Sequence, residues 1–179
     1  MRHFTLILGV VALTLPGAKA QDNCQQFTGT IKSGLYLVGL SGAQWHGIAE
    51  VTIGKSQPMT GTTVTINKET RGDPFDLTRA YSGREETTIT LNGGGKIVLQ
   101  TRFVVPARPD PKLVWWVSET GSIEPAAGAN GKFEAIHGRV TIHGPFGQTV
   151  LVPKPDPLPG FSLDLGWIGE IRGNICGVN

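Results

Sequence analysis

Apolar and polar side chains alternate with a period of two along most of the chain. Ile89 and Leu91, for example, are separated by Thr90, which is typical of a strand with one face toward an apolar core and the other toward water. Glycine and proline clusters interrupt this pattern, and helical spacing is almost absent. The segments predicted to be strands are Gln26–Lys32, His46–Ile53, Thr62–Asn67, Glu86–Asn92, Lys96–Val105, Leu113–Ile123, Lys132–His143 and Phe161–Arg172.

Eight consecutive strands are the number that closes a small barrel. The sequence therefore predicts an all-β protein, built as a single eight-stranded antiparallel β-barrel. Residues 93–95 are three glycines in a row and are predicted to form a hairpin loop. Two proline-rich stretches, residues 105–111 and 153–159, are predicted to be connections between strands.

The alternation changes face within residues 131–144. If this segment is one continuous strand, Phe133 lies on one face, whereas Val140 and Ile142 lie on the other. A slip of one residue moves every following side chain to the opposite face. We therefore predict a β-bulge near Gly138, where a glycine lets the strand bend, and we expect Phe133 in the barrel core.

The same segment contains a Gly-x-Phe-Glu-x-x-x-Gly-x-Val-x-Leu-like spacing. In this it resembles a strand motif of the allene oxide cyclase and dirigent families, whose domains are eight-stranded barrels. The resemblance covers about one strand pair of the chain. Its matching residues are Gly131, Phe133, Glu134, Gly138, Val140, Ile142 and His143.

The resemblance also implies two kinds of activity. Allene oxide cyclases are cofactor-free isomerases that close a reactive fatty-acid epoxide inside an apolar barrel, and dirigent proteins steer phenoxy-radical coupling. The cyclases carry a glutamate and an asparagine on the opening strand, whereas residues 25–34 of this chain read QQFTGTIKSG, without an acid. Catalytic residues therefore cannot be transferred to this chain, and no cofactor is expected.

The first 20 residues have the pattern of a signal peptide. Arg2 and His3 precede an apolar run at residues 4–15, and Ala18 and Ala20 place small side chains at the cleavage positions. The run is too short to span a bilayer, and no lipoprotein signal precedes Cys24, so no membrane anchor is expected. We predict cleavage before Gln21, a secreted or periplasmic location, and one barrel domain at 21–179. A buried N-terminal helix is the alternative.

Charge and cysteine content restrict the partners and the compartment. Without the leader, the chain has 14 basic and 14 acidic residues and no cluster of lysine and arginine, which argues against nucleic acid or an anionic membrane surface as a partner. The only cysteines are Cys24 and Cys176. In an exported protein this pair predicts a disulfide that joins the two termini, with two free thiols as the alternative.

A metal site is not predicted. His137 and His143 are six residues apart, which is about 20 Å along a strand, and two ligands of one zinc ion must lie much closer together. His46 has no partner at a recognised ligand spacing, and no zinc, calcium or serine-hydrolase motif occurs. These histidines are expected at the barrel surface or at its ends.

Four residues are the candidates for a ligand site inside the barrel. Strict alternation places Phe103, Trp115 and Glu119 on one face of the hairpin at residues 96–124, and Trp167 on the apolar face of the last strand. In an apolar interior, desolvation would raise the pKa of Glu119 and fit it for acid or base chemistry. Alternatively, Glu119 lies at the rim in contact with water.

Two classes of function follow. The first is a secreted binding or structural barrel whose apolar lumen holds a small hydrophobic ligand, either as a monomer or as an oligomer. The second is a cofactor-free isomerase, cyclase or dirigent-type protein that acts on a hydrophobic substrate. A lumen filled by large side chains favours a structural role, whereas a cavity of about 300 Å³ or more with a convergent acid favours a ligand or substrate.

Overall fold

The structure is a computed structural model that describes residues 23–37, 43–73, 76, 78–107, 115–129, 131–148 and 161–178. It is a closed eight-stranded barrel in which every strand pairs antiparallel with its neighbours in sequence, and the last strand pairs with the first. The predicted all-β antiparallel barrel is confirmed. The strands are β1 (Gln25–Leu37), β2 (Ala43–Ile53), β3 (Met59–Arg71), β4 (Tyr81–Leu91), β5 (Lys96–Val105), β6 (Trp115–Pro125), β7 (His137–Gln148) and β8 (Phe161–Cys176).

The period-two pattern determines which side chains fill the barrel. On β5, Ile97, Leu99 and Phe103 are buried, whereas Lys96 and Arg102 between them are exposed. An eight-stranded barrel has an interior just wide enough for side chains, so alternate residues of all strands meet in one core. Its largest fully buried members are Phe27, Phe133, Ile31, Ile89, Ile97, Leu99, Ile123, Ile136, Ile142, Ile171, Ile175 and Val51.

One end of the barrel is closed, and we call it the disulfide end. Cys24 and Cys176 are bonded there, with their Cα atoms 4.0 Å apart, because the pairing of β1 with β8 brings the two ends of the chain together. This confirms the predicted disulfide between the termini. The glycine turn at 93–95 also lies at this end and joins β4 to β5 as predicted. The turn is closed by a hydrogen bond in which the N–H of Leu91, the last residue of β4, donates to the Gly95 carbonyl at 3.0 Å.

Residues 131–136 do not form a strand, which corrects the sequence prediction for this segment. Gly131–Phe133 is a turn of 3-10 helix, and β7 begins only at His137. Phe133 and Ile136 are buried because this turn folds across the disulfide end, where the ring of Phe133 lies against Gly95. The apolar pattern changes face because the segment changes from turn to strand.

The predicted bulge near Gly138 is therefore wrong. Pairing of β7 with β6 runs without interruption from Gly138 to Phe146, and on the β8 side the register shifts only between Phe146 and Gln148. Gly138 is needed for a different reason. A Cβ atom there would collide with the main-chain oxygen of Asn174 on β8, so the close approach of the two strands requires glycine.

We call the opposite end, where β1, β3, β5 and β7 finish, the loop end. The connections that start there include residues 38–42, 108–114 and 149–160, which lie outside the described residues together with most of the two proline-rich stretches. The predicted signal peptide at 1–20 also lies outside them. None of the helices in the described part of the chain is long and apolar enough to cross a membrane.

Candidate functional site

A pocket opens into the barrel interior from the loop end. The space that the centre of a water molecule can occupy is about 20 Å³, whereas the whole gap between the lining atoms, including its mouth, is about 300 Å³. The volume of about 20 Å³ determines which molecules can enter, and one water molecule needs about 10 to 15 Å³ by this measure. The pocket is lined by Trp45, Asn67, Tyr81, Glu85, Phe103, Val105, Val117, Glu119, Phe146 and Trp167.

Two glutamates from different strands meet in this pocket. Glu85 on β4 is 7% exposed and Glu119 on β6 is 2% exposed. Their carboxyl groups are hydrogen-bonded to each other across β5. On β5 itself, the Thr101 hydroxyl donates to Oε2 of Glu119 at 3.1 Å. The site therefore contains a buried carboxyl pair, which we define as Glu85 and Glu119.

Burial controls the protonation of this pair. Desolvation raises the pKa of Glu85 to about 6. It raises the pKa of Glu119 well above its usual range, and the neighbouring charge of Glu85 raises it further. Near pH 7 we therefore expect Glu119 to keep its proton and Glu85 to be ionised. The pair then holds one proton and one negative charge.

The acids belong to a polar band on the inner wall of the barrel. Ser33 and Thr63 approach to 3.4 Å across Gly47, which has no side chain between them. Thr65 and Thr87 are hydrogen-bonded at 2.7 Å on the next strand pair. Local alternation accounts for this band, because these residues occupy inward positions on their strands. The buried polar residues of the band are Ser33, Thr63, Thr65, Glu85, Thr87, Thr101 and Glu119.

Aromatic side chains form most of the pocket wall above the carboxyl pair. Tyr81 packs edge-on against Phe103 with ring centroids 5.3 Å apart, and Trp45 packs against Phe146 at 5.6 Å. Burial, and then the charges of the two glutamates, raise the pKa of Tyr81 to about 12, so that its hydroxyl stays protonated. Trp167 completes the wall, with its indole lying over Gly169.

Two indole N–H groups belong to this wall. They are those of Trp45 and Trp167, which are each more than nine-tenths buried. Buried N–H groups are costly when they lack an acceptor.

Three of the four candidates for a ligand site come together in this pocket. Phe103, Glu119 and Trp167 all line it. Trp115 begins β6, and its side chain lies outside the described part of the structure. The lining residues that were not among the sequence candidates are Trp45, Asn67, Tyr81, Glu85, Val105, Val117 and Phe146.

The signal for Glu85 was present in the sequence. The alternation of Ile89 and Leu91, continued toward the N-terminus through Thr87, places Glu85 on the inner face. The predicted strand began at Glu86, five residues after the observed start of β4 at Tyr81, so Glu85 was left out. No comparable signal pointed to Tyr81, which lies at the very start of β4.

The histidines lie away from the carboxyl pair. His143 is on the outer surface, where it stacks on Trp116 with ring centroids 4.9 Å apart and is hydrogen-bonded to Ser118 at 2.8 Å. His46, near the loop-end start of β2, is buried and hydrogen-bonded to the Gln44 side chain at 3.1 Å, so of the two expected positions it does not have the solvent-exposed one. Within the described ranges, no three residues with metal-ligating side chains are grouped to hold an ion.

Other depressions lie on the outer wall of the barrel. One large depression runs along Arg102, Thr120 and Arg139, and the charged side chains that line it are all exposed. The pocket at the loop end differs because buried charged groups line it. It is therefore the better candidate for a functional site.

The carboxyl pair makes a testable contribution to stability. The folded-state pKa of both glutamates is raised, so their contribution to the free energy of unfolding is fully present below about pH 4.5. This contribution declines as the pH rises, through about 6 for Glu85 and through a higher pKa for Glu119. The ionisation of Glu85 alone should cost about 2 kcal/mol. Urea unfolding at pH 5, 7 and 9 should show this decline, and Glu119→Gln should reduce it over the whole range above about pH 4.5, where a free Glu119 carboxyl ionises in the unfolded chain.

The control for this experiment is Glu124→Gln, since Glu124 is an exposed residue on the same strand. It should follow the wild-type pH dependence. An equal decline in the wild type and in Glu119→Gln would contradict the raised pKa of Glu119.

Comparisons with known proteins add no relatives. No family model matches the chain, and neither a curated protein nor a solved structure is significantly similar to it.

Proposed function

We propose that this protein is an exported barrel that binds a small, largely apolar ligand at its loop end. The aromatic wall would hold the body of the ligand, and the carboxyl pair would bind its polar group. The observation that carries the proposal is the convergence of two buried carboxyl groups on a pocket lined by five aromatic side chains. The resemblance to the allene oxide cyclase and dirigent families points to the same kind of ligand.

By the volume criterion given above, the filled barrel favours a structural role, so the proposal of ligand binding depends on the two buried acids. The size of the pocket also restricts the ligand. Large side chains fill the barrel below the polar band, so a ligand would enter only its upper part. The whole pocket has about 20 Å³ of space and admits one group of the size of a water molecule, so the rest of a ligand can enter only where the aromatic side chains move apart. We therefore propose a slender ligand, with its narrow polar end at the carboxyl pair and its apolar part among the aromatic rings.

The proposed compartment is outside the cytoplasm. Residues 1–20 have the signal-peptide pattern described above, and a disulfide between Cys24 and Cys176 is typical of proteins from oxidising compartments. Intact-mass measurement of the recovered protein should give a chain that begins at Gln21. A recovered exported protein that retains residues 1–20 would contradict this.

Ligand binding can be tested by nuclear magnetic resonance with a set of small apolar compounds that carry one polar end. Binders should shift the indole N–H signals of Trp45 and Trp167, whereas the exposed Trp116 on the outer wall serves as an internal control. Phe103→Ala should weaken binding by at least about tenfold, equivalent to about 1.4 kcal/mol. Arg102→Gln, an outward change on the same strand, should leave binding unchanged. Equal binding by both variants would contradict the proposed site.

The carboxyl pair also favours a second function, a cofactor-independent isomerase. One protonated and one ionised carboxyl group, side by side in a desolvated pocket, can donate and accept a proton in the same reaction. A bound ligand with a weakly acidic C–H should then exchange that hydrogen for deuterium in D₂O, as measured by mass spectrometry. Both Glu85→Gln and Glu119→Gln should abolish the exchange. A ligand that binds without exchange would favour the binding function.

A further inference from the structure

The carboxyl pair has more hydrogen-bond acceptors than donors bonded to it. The carboxyl pair has four oxygen atoms, each able to accept hydrogen bonds. The donors that the described residues offer to them are the Thr101 hydroxyl and the proton shared between the two acids. A ligand that donates several hydrogen bonds would complete this arrangement, whereas a ligand that only accepts them would not.

The charge of the pair is also unbalanced. None of the ten residues that line the pocket is a lysine, an arginine or a histidine. The described ion pairs include neither glutamate of the pair. Arg84, the sequence neighbour of Glu85, is exposed and pairs with Glu69 at 3.6 Å instead. A buried negative charge without a cation is expensive, so a cationic ligand would gain energy by balancing it.

The wall and the volume indicate which cation fits. Aromatic faces attract cations, and five aromatic side chains surround the approach to the carboxyl pair. The whole pocket admits a group about as large as water, so the chain of a ligand would have to displace aromatic side chains. An –NH₃⁺ group has this size and provides three donors, whereas a trimethylammonium group is larger and provides none.

We propose that the pocket binds protonated primary amines with a linear apolar chain. The ammonium group would donate hydrogen bonds to Glu85 and Glu119, and the chain would leave between the aromatic rings toward the loop end. This inference rests on the proposed binding function and specifies the polar end of its ligand.

The probes are n-butylamine, which is protonated at pH 7, its neutral counterpart 1-butanol, and tetramethylammonium. Titration of the disulfide-intact protein should show that butylammonium binds at least about tenfold more tightly than butanol, because hydrogen bonds to charged groups contribute more than neutral ones. It should shift the indole N–H signals of Trp45 and Trp167. Tetramethylammonium should not bind in the pocket.

Variants separate the carboxyl pair from the rest of the surface. Glu85→Gln should weaken butylammonium binding by at least about tenfold and leave butanol binding nearly unchanged, since it removes charge and keeps the shape. The exposed Glu124→Gln is the matched control and should bind like the wild type. Dispersed amide signals in each variant verify that it is folded, and the comparison of the three probes on the wild type does not depend on any variant.

Three other outcomes would overturn the inference, and they differ in what they imply for the proposed binding function. If butanol binds as tightly as butylammonium, the pocket binds apolar molecules without preference for amines, and the proposed binding function survives. If butylammonium binds equally to Glu85→Gln, or shifts only signals of the outer wall, the amine is held elsewhere. If no probe binds in the pocket, both the inference and the proposed binding function fail.

Discussion

Replacing Cys24 and Cys176 together with serine is expected to lower the free energy of unfolding by about 4 to 5 kcal/mol. The disulfide joins residues 152 positions apart, so it removes a large amount of conformational entropy from the unfolded chain. It also holds the start of β1 against the end of β8, where the barrel closes. Urea unfolding of the double variant and of the oxidised wild type should measure the difference.

The reduced wild type provides the control for this experiment. With both thiols free, it should unfold at the same urea concentration as the double serine variant, because both lack the same crosslink. A double variant within about 1 kcal/mol of the oxidised protein would show that strand pairing alone determines the stability of the closed barrel.

Phe133→Ala is expected to destabilise the protein by about 3 to 5 kcal/mol through lost burial and a cavity. Phe133 is 1% exposed, and its ring covers the disulfide end against Gly95. His143→Ala is the control. It lies on the exposed outer surface and should change stability by only about 0.5 kcal/mol.

Thermal or urea unfolding of the two variants tests whether the turn at residues 131–136 packs on the barrel core or contributes nothing to it. If Phe133→Ala unfolds like the wild type, the turn at residues 131–136 does not contribute to the core. If His143→Ala is the more damaging change, the assignment of inner and outer faces on β7 is incorrect.

The strands of this barrel were predictable because their pattern is local. Each inward residue is followed by an outward one, and the alternation of Ile97, Leu99 and Phe103 is visible without knowledge of any neighbouring strand. Residues 131–136 were misassigned for the same reason. Phe133 and Ile136 are as apolar as strand residues, but they are buried by covering the end of a barrel that only the complete fold creates.

The candidate site was only partly predictable because it depends on contacts between distant residues. Glu119 was recognised from its own strand, since an acid on an otherwise apolar face is conspicuous. Its partner Glu85 lies 34 positions earlier in the chain, and the two meet because β5 passes between them in one particular register. Alternation indicates the face on which a residue lies, but register decides which residues on that face are neighbours.

The pairing of β1 with β8 has a consequence for how the protein folds. β1 can form its second ladder only after β8 has been synthesised, so until then β1 and β7 both present unpaired edges. Such edges attract other strands and promote aggregation. Contacts between the two ends of a chain also slow folding, typically to milliseconds or seconds in all-β domains. We therefore expect the chain to be most prone to aggregation before its last strand, β8, completes the barrel.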